Sequence, residues 1–431
     1  MNHSKKKNYQ HDHKESCGPA QAISRRSLLK NGVGTLPLLG ISPGQMALSQ
    51  STTTYPFFLV IECSGGWDQT LVFDDKLSVS TVSTDGSASS ETGAGTLTYV
   101  HNASRPAVKN FFDSQGVYST IVNGILCHSV DHDVALEQTT TTLSVTTEEI
   151  TNYLTFYSTL VGAGTGFPAL SVDLPVTPGT LDRNTYRVTL DDLENRLPQY
   201  RSSFSESTKA ALRSYLNATY TNFTSGRLIG NSSGLKLNAF ASKGLKEDAA
   251  PSVFGSLFDA TETTSLRKRA KFALNLFANN YAMTAHVLDE DKLSWDDHSN
   301  TISAGGARFN RLFEDLSDIV AHAESLGIDQ RLVIVVKSEM GRHPRIVSGL
   351  KNHWPFTSCL IWNKNMAGGK TVGQTDDYLR GLKLDPSIAT ENSANAVEVT
   401  FDSIFSALFS YSGVNSRLLW NEEILPANFI I

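Results

Sequence analysis

The sequence predicts an α/β protein: a mostly parallel, doubly wound sheet with helices packed on it and one helical insertion. Two nearly continuous apolar runs, residues 56–63 (PFFLVIEC) and 331–336 (RLVIVV), have the pattern of strands buried on both faces. Residues 304–326 repeat apolar side chains at helical spacing directly before the second run. Strand, helix and strand alternating at this spacing argue for a parallel sheet rather than a sandwich.

Taken in order, the first strand ends in Ser64-Gly65-Gly66-Trp67-Asp68, a turn that delivers a carboxylate just past the strand's carboxyl end. Residues 78–96, rich in Ser, Thr and Gly, read as an exposed loop. A second strand over 119–127 runs into His128-Ser129-Val130-Asp131-His132-Asp133. The chain then changes character over about 181–280, where 190–197, 206–223 and 265–281 suit helices of an insertion. In the following helix Phe309, Leu312, Phe313, Leu316, Ile319, Val320 and Ala323 share one face, and Gly327 stands where a helix-ending glycine belongs. Residues 357–363 read as a further strand and 401–411 as a helix.

The 431 residues are 40% apolar and 19% charged with four cysteines, which excludes collagenous, disulfide-scaffolded and disordered classes. No apolar run reaches the roughly 18 residues a spanning helix needs. The net charge of −6 is unevenly distributed. Residues 1–49 hold seven cations against Asp12 and Glu15, a net of +5, which leaves −11 on the rest. So acidic a body lacks the clustered Lys and Arg that nucleic-acid binding requires.

The basic end reads as an address. SRRSLLK at 24–30 looks like the bacterial twin-arginine export signature, followed by a moderately apolar stretch over 33–48. Ala47-Leu48-Ser49 offers small residues for cleavage near Ser49, so 1–49 is expected to be a signal peptide and 50–431 a single exported domain. The Tat translocase is then a partner during export, and the destination is periplasmic or extracellular. Cys63, Cys127 and Cys359 remain after cleavage, each within or at the end of a strand-like run where a buried thiol is the ordinary state.

Ligands of open α/β sheets bind beyond the carboxyl ends of the strands. Asp68, the 128–133 segment, Trp295-Asp296-Asp297-His298, Glu339 with His343, and Asn352-His353 all fall there. Five of the eight histidines after residue 49 lie in these segments. Imidazole with carboxylate is the donor set of Zn, Mn and related divalent ions. Each piece also has a plainer reading. Asp68 could be a turn residue, the Asp296 to His298 run a solvated loop, and Glu339 with Arg342 a structural ion pair.

PFFLVIECSGGWDQT, GILCHSVDH, LSWDDHSN, RLVIVVKSEMGRHPR and KNHW, in this order over most of residues 55–415, resemble the Tat-exported bacterial proteins called the domain-of-unknown-function 1501 family. The resemblance implies an alkaline phosphatase/sulfatase-like three-layer α/β/α sandwich, whose members are commonly two-metal hydrolases or phosphotransferases. The family itself has no settled activity. Asp68 matches the family's Gly-Gly-x-Asp turn, Asp296 and His298 its Trp-Asp-x-His motif, Glu339 and Arg342 its Ser-Glu-x-Gly-Arg motif, and His353 the His of its later Asp-His pair. Two departures stand out: Asn352 replaces the Asp of that pair, and 129–132 (SVDH) replaces Ser-Arg-Ser-His.

The expected activity is hydrolysis of a phosphate or sulfate ester, free or carried on a polymer. Asp68, Asp296, His298, Glu339 and His353 are the expected ligands of divalent ions, Zn or Mn rather than Mg or Ca. Ser129 or a metal-held water would attack, His132 would serve as base or ligand, and Arg342 would contact the anion or orient Glu339. The alternative is a catalytically silent exported scaffold that binds carbohydrate, envelope polymer or a protein, which Asn352 and the missing second Ser favour.

Overall fold

The computed structural model describes residues 55–141, 152–162, 165, 169–174, 185–196, 255–385, 390–391 and 396–415. The expected signal peptide and the expected helix at 206–223 lie outside them. The first apolar run is β1, Phe57–Glu62, with every residue buried. Phe57, Leu59 and Ile61 join one apolar cluster while Phe58 and Val60 join another. A period-2 element whose two faces are both apolar has to be covered on both sides.

A hairpin of β2 (Ser89–Thr92) and β3 (Thr98–His101) follows. Part of the Ser/Thr-rich stretch read as loop is therefore strand. Next come β4 (Ser119–Leu126), β5 (Ala169–Val172), β6 (Thr185–Val188), β7 (Thr284–Leu288) and β8 (Leu332–Lys337). The short β9 (Gly341–Arg342) and β10 (His353–Trp354) pair with each other, ahead of β11 (Phe356–Trp362) and β12 (Lys370–Val372). The main sheet runs β12-β4-β11-β8-β1-β7-β5-β6. All neighbours in it are parallel except β11, which is antiparallel to both β4 and β8. The expected mostly parallel α/β sheet is present, with one reversed strand.

Three helices share the cluster on one face: α1 (Pro106–Gln115), α4 (Ser265–Ala278) and α5 (Thr301–Ser325). The other face is covered by α3 (Tyr153–Val161) and α6 (Phe401–Tyr411). The intervening α2, His132–Thr140, belongs to the site. The apolar face predicted for α5 is the buried one, and Gly327 follows it at φ +67°. Each large apolar side chain so buried contributes roughly 1.5–3 kcal/mol, so the layers need no further fastening.

Two elements of the stretch expected as a helical insertion, about 181–280, pack with the main sheet. Val188 of β6 joins the apolar cluster, and α4 packs on the same sheet face. The rest of that stretch, 197–254, lies outside the described residues. Cys63, Cys127 and Cys359 are buried and unpaired, and burial raises their thiol pKa values. Among the described residues no helix is long and apolar enough to cross a membrane.

Candidate metal centre

The carboxyl ends of β1, β4, β7 and β8 reach one edge of the sheet, and the reversed β11 begins there. The β1 turn is possible only with glycine. Gly65 has φ +127°, and a Cβ there would lie 2.3 Å from the Asp296 backbone nitrogen. Gly66 has φ +83°. This packing of backbone on backbone brings the 295–298 segment over the β1 turn. The segment is held from its other side by Asp289. That fully buried carboxylate accepts from Trp295 Nε1 at 2.8 Å and from Arg311 at 2.6 Å.

Arg342, on β9, is the clamp. Its guanidinium is buried and donates to the carbonyls of Gly66 (2.6 Å), Gly65 (2.7 Å), Trp295 (3.0 Å) and Lys351 (3.3 Å). It also donates to Asp296 Oδ1 at 2.8 Å. Of the two roles expected for Arg342, contact with an anion finds no available face, because its donors are engaged within the protein. The carboxylate it orients is Asp296 rather than Glu339.

Asp296 is the hub. His353 Nε2 and His298 Nε2 each lie 3.0 Å from its Oδ1, and His132 Nε2 lies 3.5 Å from its Oδ2. His298 Nε2 and His353 Nε2 are 3.0 Å apart. Burial acts to raise the Asp296 pKa, but bonds from His353 and Arg342 and the charge of Arg342 outweigh it and hold the value at about 2. The carboxylate is ionised at any working pH. The four side chains are 17% to 33% exposed, so the cluster is reachable from solvent.

The far nitrogens of two imidazoles have fixed partners. His132 Nδ1 is 2.9 Å from Glu339 Oε1, and His353 Nδ1 is 3.0 Å from the Val130 carbonyl oxygen. A carbonyl oxygen only accepts, so His353 Nδ1 carries a proton and its neutral form presents an Nε2 lone pair to Asp296. A lone pair facing a carboxylate oxygen at 3.0 Å requires a proton or a cation between them. His132 Nε2 is buried and has no hydrogen-bond partner. Its Nδ1 points to a carboxylate, the outer-shell arrangement that makes a metal-ligating imidazole more basic. One donor atom each from His132, Asp296 and His353 lie within 4.8 Å of one another. The donor set fits a borderline divalent ion such as zinc.

Glu339 itself is fully buried. Besides His132 it accepts from Gly65 N–H at 2.7 Å and Ser338 Oγ–H at 3.1 Å. That bond to Glu339 is the main reason the His132 pKa is raised. The His298 pKa is lowered, first by burial and then by Arg342.

Of the expected ligands, Asp296, His298 and His353 come together. His132, expected as base or ligand, joins them. Glu339 stands one shell behind His132. Asp68 does not join, because its Oδ2 lies 2.5 Å from Lys351 Nζ in a buried ion pair and its Oδ1 accepts from Thr70. The expectation of two cations thus meets one candidate ligand cluster among the described residues. Ser129 lies on the loop whose Val130 carbonyl holds His353, and its Oγ accepts from Asp131 N–H at 3.1 Å.

Two groups went unnoticed in the sequence. Lys351 gives no signal, since a lysine in a loop is ordinarily solvated. The other is a buried charge cluster below the site, where Lys337 Nζ lies 2.5 Å from Glu62 Oε2, which is 3.2 Å from His286 Nε2. Lys337 also donates to Thr139 Oγ1 at 2.9 Å, which ties down the α2 helix that presents His132. A signal for it exists in retrospect: charged residues end both β1 and β8, where an unpaired charge is costly.

The fold and site define an α/β protein with a half-buried histidine–aspartate cluster at the carboxyl edge of its sheet. No family model matches the chain, and no curated protein matches it. Among solved structures it is similar to the phosphonate monoester hydrolase of Agrobacterium radiobacter (10% identity, 83% of this chain and 74% of that one, TM-score 0.36). It is also similar to the PsFucS1 sulfatase from Pseudoalteromonas sp. (12%, 88% and 72%, 0.34) and the lipoteichoic acid synthase LtaP from Listeria monocytogenes (8%, 81% and 75%, 0.35). The fold stated above rests on this chain's own sheet order and layers.

Proposed function

We propose that this protein holds a divalent cation, zinc before manganese, with His132, Asp296 and His353, and with His298 as a further donor. We propose also that it hydrolyses phosphate or sulfate esters there after export by the twin-arginine route. The observation that carries the reading is the buried Nε2 of His132, without a hydrogen-bond partner and 3.5 Å from Asp296 Oδ2, while its Nδ1 is fixed by Glu339. When bound, such an ion polarises the ester and stabilises charge on the attacking and leaving oxygens. The chain's own residues supply the rest. Arg342, itself held by the Gly65 and Gly66 carbonyls, donates to Asp296 and orients it. Glu339 and the Val130 carbonyl set the tautomers that turn Nε2 of His132 and His353 towards the cluster. Ser129, next to Val130, is the candidate nucleophile, and a water is its alternative.

The test is metal analysis of the purified full chain, with a phosphatase and sulfatase substrate panel. About one zinc or manganese per chain, lost on His132→Ala and Asp296→Ala, supports the reading; metal-free protein sinks it. A second reading, the catalytically silent scaffold, is favoured by Asp68 and Glu339 being engaged inside the protein, which leaves one carboxylate in the cluster. It predicts bound metal without turnover of any ester.

A further inference from the structure

The candidate ligands differ in how they are fastened. Asp296 is held by Arg342 within a segment that Asp289 also holds, and His353 lies on β10, paired with β9. His132 is carried by α2, whose apolar grip is slight. The buried face of α2 consists of Ala135, Leu136, Thr139 and Thr140. Of these only Leu136 joins an apolar cluster, a small one with Leu174 and Leu288, separate from the two that cover the sheet. Polar ties take the place of apolar packing. His132 and Thr139 are seven residues apart, almost two turns, and so share a face of the helix. Glu339 lies 2.9 Å from His132 Nδ1, and Lys337 Nζ donates to Thr139 Oγ1 at 2.9 Å. The exposed pair of Lys292 with Asp133 adds little to this hold.

Lys337 is a fixed post. Its buried ammonium pairs with Glu62 Oε2 at 2.5 Å and lies 5.0 Å from the centre of the Phe401 ring of α6. Glu62 is met in turn by His286 Nε2 at 3.2 Å. Moving a buried ammonium away from its carboxylate leaves both charges uncompensated, so the group that Lys337 bonds on α2 is fixed as well. The placement of α2 sets more than His132. The loop leading into it carries Asp131, which caps the helix by accepting from Val134 N–H at 3.1 Å, and Val130, whose carbonyl oxygen lies 3.0 Å from His353 Nδ1. Two of the three grouped ligands therefore depend on where this helix lies.

Resting on the reading above, we infer that Lys337 is a positioning residue of the metal centre: through Thr139 it holds α2 in place, and so sets His132 directly and His353 through Val130. Lys337 touches neither the metal nor the substrate. Without its hold, part of the population has α2 out of place, and the measured metal affinity falls with the fraction that remains competent.

The test is zinc competition between the full chain and a chromophoric chelator. Thr139→Val removes the acceptor, keeps the side chain's shape and leaves Lys337 with Glu62. It should weaken zinc binding by about tenfold, the lower end of what a hydrogen bond to a charged group is worth. Thr139→Ser restores the hydroxyl and should bind within about twofold of the parent. Thr140→Val makes the same exchange one residue on, where the hydroxyl bonds only within α2, to the Leu136 and Glu137 carbonyls, and should also stay within about twofold. A purely structural Thr139 would lower the unfolding midpoint of Thr139→Val without touching its zinc affinity. That outcome, a Thr139→Ser as weak as Thr139→Val, or an equal loss in Thr140→Val overturns the inference and leaves the metal reading intact. Linkage gives a second measurement on the parent: zinc should slow amide exchange across residues 132–140. Exchange there that zinc leaves unchanged overturns the inference as well. A parent chain that binds no zinc removes both readings together.

Discussion

Replacing Glu339 by glutamine probes the site at its most informative atom. The side chain keeps its shape and still offers an oxygen to Gly65 N–H, but the negative charge 2.9 Å from His132 Nδ1 disappears. An outer-shell carboxylate of this kind is worth about 10- to 100-fold in metal affinity, or about 1.4–2.7 kcal/mol. Glu339→Gln is therefore expected to weaken zinc binding by that factor in competition with a chromophoric chelator, with the zinc stoichiometry unchanged at saturation. The effect acts through His132, so in a His132→Ala background, which loses its metal on purification and is titrated at zinc concentrations high enough to fill the weakened site, Glu339→Gln should cost nothing further in affinity. Two residues in one chain of contacts should show this full coupling. Additive losses in the double variant, or unaltered zinc binding in the single one, would refute the reasoning.

The remaining predictions concern pH, packing and export. His132 has a raised pKa, so protons compete with zinc at pH values above the ordinary imidazole figure of 6.5, and affinity should fall as pH drops through that raised value. In metal-free protein the same shift stabilises the fold fully below 6.5 and is lost as pH rises through the folded value; denaturant midpoints across pH 5–9 should show it, and Glu339→Gln should remove it. Asp68→Asn leaves Lys351 buried without a charge partner, which should destabilise by about 3–5 kcal/mol in urea unfolding, while folded protein keeps its zinc. A fall in zinc stoichiometry would return Asp68 to the ligand set. Gly65→Ala should cost at least about 2 kcal/mol from the positive φ alone and disorder the cluster, read as weaker zinc binding. Arg25→Lys with Arg26→Lys should retain the chain in the cytoplasm in fractionated cells, and continued export would end the twin-arginine reading.

Much of the architecture was legible because its information is local. A strand buried on both faces must be continuously apolar, as 57–61 and 332–336 are, and α5 displays its buried face at a 3.6-residue period. The reversal of β11 was not legible, since a strand's direction relative to its neighbours leaves no trace in its own side chains. Histidines and carboxylates concentrated after strand ends marked the region of the site, because strand ends converge in this topology. Which of them meet is a different matter. Asp68 and Glu339 both follow the ends of buried strands, β1 and β8, yet one faces Lys351 from 283 residues away and the other faces His132 from 207 away.

The amino-acid sequence by itself determined the layered α/β class, the edge of the sheet where histidines and carboxylates gather, and the residue types available there. Only the tertiary structure decided the working set. It drew His132 in with Asp296, His298 and His353, gave Arg342 to backbone carbonyls, and paired Asp68 with Lys351. The physical reason is that a buried charge must find its partner in space, and partners separated by hundreds of residues are chosen by packing, not by any pattern along the chain.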